Sequence, residues 1–585
     1  MNWFRLGLVA LSTSVLAACA SGGGGGGGES GGPGLPPSLP TNTSITNLVA
    51  DQVFSGTAAT TAQEINLTSA TTANSSGAPA TLSVSYNAAA KSYTLSLSGR
   101  SQTFGTADIV SNASGEARFL KTDGAVKDRL TLVTTPYSGP TSNRYVGLGY
   151  WQRSSVAGDR QSDQFATFVY GLNTPAAAMP RTGRANFAID VFGLSTVPGF
   201  EPSVLQGLGR FDVDFMAGVF STQTYLTETG LITGDGVVGG GIELNGAGAL
   251  SGSQSTFTGS VTTGTRNAKL TGSLSGQFYG PGAEEIGATF SATNSDGASF
   301  AGSFTGQRGT SPAVNLTLTN LVAPQLFYPQ GTALFVDMLD GRTDAQVRYY
   351  RLIGQLQDRT SGNFSFGPGM SNMPGGEFTS TSIVNSSDPN FIRYEKTFAD
   401  RGVRLDLFKV GPANTQLALT YSTLGRWKST ERSGVWTYAQ IHHFVYGLET
   451  PEGLLAARTG TARYDGVAYG AAANAATGAQ YDVSGTSVFN VDFGRQTYAG
   501  DLRLNGRNDA GTIDFGRYDF DGRLSATTKA SSAALTQGGA AAGELVTRFY
   551  GPTGEEIGGD FNIFVPESVQ PGRTQIGGVT VAQRR

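Results

Sequence analysis

With 585 residues, 39% apolar and 14% charged, the chain can bury several cores at about 150 residues per domain, yet it carries well under the roughly 25% charge of an ordinary soluble domain. Its 40 Lys+Arg against 44 Asp+Glu leave a formal charge of −4, which removes bulk electrostatics as an argument for nucleic acid. One Cys and two His exclude an intramolecular disulfide and a thiolate metal cluster, and the composition weighs against most enzymes.

Residues 1–18 read as an export signal. Arg5 supplies a positive charge, and Leu6 to Ala18 is too short to span a bilayer as a helix. The run ends in Leu16-Ala17-Ala18-Cys19, small residues before the only Cys, which is the pattern of a bacterial lipoprotein signal. Cys19 is then the lipidation site, since a thiol is needed to carry the lipid as a thioether. Ala20, rather than an Asp, favours sorting to the outer membrane. Several acyl chains on one Cys hold firmly, because each buried methylene contributes about 0.8 kcal/mol. No later stretch of 18 or more apolar residues exists, so the reading is a protein anchored to a membrane and not spanning it.

The lipidated Cys and a Gly/Pro-rich tether fill residues 19–45. Gly22 to Gly28 is unbroken glycine, and a Gly/Pro/Ser stretch runs on to Pro40. Gly-rich chain of this length reaches roughly 25 Å on average, enough to hold a folded part clear of the lipid surface.

Beyond the tether the chain repeats itself. Thr46-Asn47-Leu48-Val49-Ala50, with Gln52 and Phe54, recurs as Thr319 to Ala323 with Gln325 and Phe327. Phe168 to Leu172 with Thr174-Pro175 recurs as Phe444 to Leu448 with Thr450-Pro451. Arg181-Thr182-Gly183 recurs as Arg458-Thr459-Gly460, and Val213-Asp214-Phe215 as Val491-Asp492-Phe493. Phe278-Tyr279-Gly280-Pro281, with Glu284-Glu285-Ile286-Gly287, recurs as Phe549-Tyr550-Gly551-Pro552 with Glu555-Glu556-Ile557-Gly558. Tyr145, Gly149 and Trp151 match Tyr421, Gly425 and Trp427 more weakly. All fall in one order at an offset of roughly 271–278 residues, so the chain holds two homologous lobes, 46–318 and 319–585, and not a solenoid. Residues kept in both copies serve the shared fold, and residues that differ are freer to serve each lobe's own task.

Within a lobe the pattern is β. Tyr93, Leu95 and Leu97 alternate with Thr94, Ser96 and Ser98, and Phe211, Val213 and Phe215 do likewise. Leu270, Leu274 and Phe278 share a phase with Gly272 and Gly276, which fits close backbone approach in a barrel. Short helices are expected only around Glu452–Ala457 and Ser531–Ala541. The fold class is therefore all-β. Each lobe reads as an antiparallel handle sub-domain followed by a closed barrel of about eight strands: handle 46–160, barrel 161–318, handle 319–435, barrel 436–585. Closure removes the exposed strand edges that aggregate.

The repeated Phe-Tyr-Gly-Pro-x-x-Glu-Glu-Ile-Gly segments resemble the signature in the barrels of transferrin-binding protein B and related surface lipoproteins. The Val-Asp-Phe strand before the signature and the lipobox Cys with its flexible anchor resemble that family too. The resemblance covers nearly all of the chain past residue 45. It implies two lobes of handle plus eight-stranded barrel, in a lipoprotein on the outer leaflet of a Gram-negative outer membrane. It also implies capture of an iron- or haem-carrying protein, or a similar nutrient source, for a TonB-dependent transporter. The expected partners are membrane lipid through acylated Cys19, that protein ligand and that transporter. No cofactor and no nucleic acid are implied, and a monomer is expected. The low charge and scarce lysine match no transferrin-contact residues, so the ligand and its binding residues do not carry over. The alternative is an adhesin or envelope structural lipoprotein without an uptake role, and haem or small-ligand capture by the barrels is a third reading.

Few residues invite chemistry. Neighbours on a strand face opposite ways, so neither Glu284-Glu285 nor Glu555-Glu556 can flank one bond as a carboxylate pair. They read as the start of the strand after a Gly-Pro turn, with Arg181 and Arg458 as candidate partners for these acids. His442-His443 stands where the first lobe has Ala166-Thr167. Packing or surface is the stronger reading for these imidazoles, and haem or metal ligation the weaker. With no nucleophile elbow and no other His, no catalytic residues are assigned, and no metal ligands either. Trp151 and Trp427 read as core. The aromatic stretches Phe192 to Phe200 and Leu326 to Phe335 read as core first and contact surface second.

Overall fold

Period-2 alternation runs through nearly every segment, and the chain folds as antiparallel strands accordingly. The computed structural model describes residues 41–585 apart from positions 98, 114, 138–141, 237–241, 313, 354, 359–363, 368–375, 398–400, 452–453, 456–457 and 526–529. The signal, Cys19 and nearly all of the tether lie outside the described residues. Each lobe is a curled sheet, the handle, followed by a closed eight-stranded barrel.

The first handle is one nine-stranded sheet. Its spatial order is Arg100–Phe104, Ser92–Leu97, Thr71–Asn87, Gln52–Asn66, Arg160–Gly171, Val146–Ala157, Val126–Val133, Glu116–Asp123 and Ile109–Ala113. One face buries Phe54, Leu95, Phe104, Leu130, Trp151 and Phe168. Gly149 lies opposite Phe168, whose ring fills the space a Cβ at Gly149 would take; Gly425 and Phe444 repeat this in the second handle. The weakly repeated glycine is thus the one that lets an aromatic ring lie flat across the sheet.

The first barrel takes eight strands in sequence order, from Arg184–Thr196 to Ser299–Arg308, and closes where Phe187 to Thr196 pair with Arg308 to Ser299. The second runs from Thr461–Asn474 to Thr574–Arg584 and closes in the same way. Strands Arg160–Gly171 and Trp436–Gly447 stay with the handles, because each pairs along its length with two handle strands. Phe187, Phe211, Phe220, Phe257, Phe278, Phe290 and Phe304 fill the first barrel. Outward positions of the second carry Asp501, Arg503, Asn505 and Arg507. Apolar inside and polar outside is the inverse of a membrane-spanning barrel.

The second handle differs from the first. A four-stranded sheet, Gln325–Phe327, Gln355–Asp358, Phe364–Gly367 and Gly376–Phe378, separates from a seven-stranded one. The seven-stranded sheet runs Ala345–Ile353, Gln330–Leu339, Trp436–Gly447, Ser422–Ser433, Arg401–Phe408, Phe391–Thr397 and Ile383–Val384. The split has a local cause. Where the first lobe has the single strand Gln52–Asn66, the second has Gln325–Phe327 and Gln330–Leu339, interrupted at Tyr328-Pro329. Pro329 has no N–H to give to a ladder.

The helix expected at Ser531–Ala541 does not form. Ser531–Gln537 and Ala540–Tyr550 are paired strands around Gly538-Gly539, both with positive φ. Alternate burial of Ala533 and Leu535 outweighs the helix propensity of the alanines. The helix expected at Glu452–Ala457 falls mostly outside the described residues.

Candidate functional site

The motifs most strongly repeated in the sequence meet in space. Phe278 ends the strand Lys269–Tyr279 pointing into the barrel, and Tyr279 points out, buried against Val146 and Val169 of the handle. Gly280 turns the chain with φ +85°, and a Cβ there would strike the ring of Tyr145. Its N–H donates to Leu172 O at 2.9 Å, Thr174 N–H donates to Phe278 O at 2.9 Å, and the Thr174 hydroxyl to Gly280 O at 2.7 Å. In the second lobe Gly551 donates to Leu448 O at 2.8 Å, and Thr450 gives its N–H to Phe549 O and its hydroxyl to Gly551 O. Phe-Val-Tyr-Gly-Leu-x-Thr and Phe-Tyr-Gly-Pro are therefore two halves of one clasp joining handle to barrel.

The second glutamate of each pair locks the clasp. Glu285 accepts the N–H groups of Arg144, Tyr145 and Val146 at 2.7, 2.8 and 2.9 Å. Glu556 accepts those of Thr420, Tyr421 and Ser422 at 2.6, 3.1 and 2.7 Å and the Ser422 hydroxyl at 2.8 Å. Burial pushes both carboxyls up, Glu556 to about 7, against the pull of these donors. The first glutamate of each pair faces its own turn: Glu284 accepts from Gly282 N–H at 2.8 Å and Glu555 from Thr553 N–H at 2.9 Å. The expected arginine partnership gives way to this. Arg181 donates instead to the carbonyls of Ser251 and Gln254, and Arg458 to those of Thr553 and Gly554. Backbone N–H groups already occupy the buried carboxylates.

A second repeated device escaped the sequence reading. Asn42 accepts the N–H groups of Val49 and Ala50 and donates to Ala50 O and Gln52, closing the loop that Thr-Asn-Leu-Val-Ala spans. Asn315 does the same with Val322, Ala323 and Gln325. The signal was present, because Asn42 and Asn315 stand at the same offset as the motif they hold, with non-identical residues between.

The two lobes treat their core tryptophan differently. Trp151 and Trp427 are both fully buried. Trp151 Nε1 donates to Asp128 at 2.8 Å, and Arg153 pairs with that carboxylate. Strand register puts Val403 where the first lobe has Asp128, and His442 where it has Ala166. The His442 ring stands edge-on to Trp427, with centroids 4.9 Å apart. His443, on the opposite face of the strand, is buried toward the barrel side with Ile441 and Val445. Burial depresses both imidazoles, His442 to about 3. They are enclosed packing residues, and among the described residues no three His, Cys, Asp or Glu side chains gather as a metal site.

His442 gives a pH prediction. Unfolded chain takes up the proton that the folded imidazole refuses, so this contribution to stability is complete above about pH 6.5 and is lost as pH falls toward 3. Glu285, Glu556 and Asp560, raised by burial, act with the opposite sign. Only a difference isolates the histidine. His442→Ala is expected to lower stability at pH 7.5 and to recover about 1.4 kcal/mol of that loss by pH 5.5. Denaturant titrations of both proteins at the two pH values check this, and a pH-independent difference would refute it.

The aromatic stretches divide residue by residue. Phe192, Phe327 and Phe335 are core, whereas Phe200, Leu326 and Tyr328 are exposed. On the first barrel Leu208 and Tyr225, directly paired across neighbouring strands, are both more than half exposed.

Two lobes of curled sheet and packed barrel, each joined through a buried glutamate, define a class of paired handle-and-barrel proteins. Residues 208–308 and 457–584 match the family model described as the C-lobe and N-lobe beta barrels of Tf-binding protein B. The chain is transferrin-binding protein B-like in both barrels, and the repeated signature lies inside both matched segments. Among solved structures it is similar to a double mutant of transferrin binding protein B from Haemophilus parasuis Hp5, at 15% identity, covering 77% of this chain and 85% of that one with a TM-score of 0.26. It is also similar to isotype 1 transferrin binding protein B from serogroup B Neisseria meningitidis, at 15% identity over 82% and 89% with a TM-score of 0.25. A structure described as a surface lipoprotein matches at 14% identity over 43% of this chain and 98% of that one, with a TM-score of 0.21. No curated protein matches the chain.

Proposed function

We propose that this protein is a lipid-anchored binding protein of the outer membrane, displayed at the cell surface. It captures an iron- or haem-carrying protein, or a similar nutrient source, and works beside a TonB-dependent transporter. Cys19 carries the acyl chains after residues 1–18 are removed, and the tether to residue 45 sets the reach. The handle and barrel of the first lobe offer the contact surface, including the exposed pair Leu208 and Tyr225. The observation that supports this reading is the match of both barrels to the transferrin-binding protein B barrel model, in a chain that opens with a lipobox. Binding rather than catalysis is the role, since the acids of the signature are spent on backbone N–H groups.

The test is a pull-down with residues 41–585 as bait. The prey is solubilised outer membrane together with iron-loaded and haem-loaded carrier proteins. Recovery of a carrier or a TonB-dependent transporter is the expected result. Recovery of neither by a folded bait would leave an adhesin or structural lipoprotein. In cells, Cys19→Ser is expected to move the protein from the membrane pellet to the soluble fraction, read by fractionation and by loss of labelled palmitate.

A further inference from the structure

The second handle carries a charge cluster that the first lacks. Asp406, fully buried, receives Arg393 Nε at 2.7 Å, Arg404 Nε at 3.0 Å and Arg426 Nη2 at 2.6 Å. The three arginines lie on the neighbouring strands Phe391–Thr397, Arg401–Phe408 and Ser422–Ser433, and Arg393, Asp406 and Arg426 form one cross-strand row. One carboxylate meets three guanidinium groups. Lys428, opposite Arg404, adds a further positive charge on the same face. Two further acids lie there: Glu395, exposed, sits directly opposite Arg404 on the neighbouring strand, and Asp482 of the barrel is 68% exposed and 3.9 Å from Arg426. Arg401 and Glu431, next along, pair with each other at 3.0 Å. His443 follows Arg426 in the row with its Nε2 buried and unpartnered.

The fold does not require this arrangement. At the positions of Asp406, Arg426 and His443 the first lobe has Thr131, Tyr150 and Thr167. Its Arg118, matching Arg393, is balanced by Glu116 at 2.9 Å, and the second lobe has Phe391 in place of that acid. At equivalent sites the second lobe has thus gained Arg426 and Lys428 along with the acids Asp406 and Glu395, and has lost the acid that balances Arg118, while Arg404 has a counterpart in Arg129. Like-charge crowding by Arg426 and Arg393 adds to burial in lowering Arg404. Arg393 and Arg404 each spend Nε on Asp406, and their side chains remain 14% and 31% exposed.

We propose that Arg393, Arg404 and Arg426 form an oxyanion site on the second handle that takes a phosphate group, free or on a lipid headgroup. Arg393, Arg404, Arg426 and Lys428 against Asp406, Glu395 and Asp482 leave an excess of one positive charge, which favours an anionic group such as a phosphate of about −1.5 to −2 charge at pH 7. The three planar forks converge on Asp406, and guanidinium groups of this kind suit oxyanion oxygens.

The full-length protein is titrated with inorganic phosphate at constant ionic strength, read by calorimetry and thermal shift. The same protein is sedimented with phosphatidylcholine vesicles with and without phosphatidic acid. A saturable phosphate effect, weakened about tenfold or more in Arg404→Gln and unchanged in the first-lobe control Arg118→Gln, is the expected result. Arg404→Lys, which keeps the charge without the fork, is expected to fall between. Binding to phosphatidic acid vesicles alone, lost in Arg404→Gln, would assign the site to a headgroup. The proposal is overturned if neither probe binds better than chloride or pure phosphatidylcholine, or if folded Arg404→Gln binds as the parent does.

Discussion

Glu556→Ala is expected to cost the second lobe about 3–6 kcal/mol, because three backbone N–H groups and the Ser422 hydroxyl lose their acceptor in a site closed to water. Each orphaned buried donor costs about 1–3 kcal/mol, and not all four can find new partners. The loss is comparable with the whole stability of an ordinary domain, about 5–15 kcal/mol. Glu285→Ala is expected to do the same in the first lobe, somewhat less, since three donors and no hydroxyl depend on it. Glu555→Ala is the control. The Glu555 side chain hydrogen-bonds only within the turn, to Thr553, beside a longer electrostatic interaction with Arg458, and its loss is expected to cost about 1 kcal/mol. Guanidinium titrations would show a lowered midpoint for the first two variants. A shift equal to that of Glu555→Ala would sink the clasp as the main handle–barrel joint.

Arg184→Ala is expected to cost about 3–5 kcal/mol, because it strands a buried carboxylate. Arg184 is 6% exposed and pairs at 3.0 Å with Asp214, which is fully buried. It also donates to Val314 O at 2.7 Å and to Asn320 O, so one guanidinium holds both the first barrel and the segment leading to the second lobe. The barrel itself does not need the pair, since the second lobe has Thr461 opposite Asp492 at this position. Two results are therefore expected together. Stability falls, and residues 312–320 become quicker to cleave in limited proteolysis. Asp214→Asn with Arg184→Met removes both charges and is expected to restore part of the stability without restoring protection of the segment. Unchanged cleavage in Arg184→Ala would show that the lobes are joined by other contacts.

The strands, the duplication, the barrels and the handles were legible because each rests on a periodic or repeated signal. Leu270, Gly272, Leu274, Gly276 and Phe278 read as inward positions because a strand alternates regardless of its partners. What failed were judgements on stretches whose composition and periodicity disagree. The alanines of Ser531–Ala541 favour a helix alone, yet Gly538-Gly539 and an inward Leu535 make a hairpin once a barrel supplies neighbours. The split of the second handle was written in Pro329, but only the loss of a ladder shows its effect.

The sequence by itself determined which residues both lobes must keep, since two copies under one fold retain Glu285 and Glu556, Gly280 and Gly551, Trp151 and Trp427. It could not say what those residues touch. Glu285 lies some 140 positions from the N–H groups it accepts, and partners so distant along the chain leave no periodic trace. Tertiary structure alone decided that the signature is a clasp, that Arg181 bonds elsewhere, and that His442 and His443 are sealed. It likewise gathered Arg393, Arg404 and Arg426 around Asp406. Cross-strand register, set by the pairing of whole strands, places these groups within hydrogen-bond reach, and register belongs to the sheet rather than to any one segment of it.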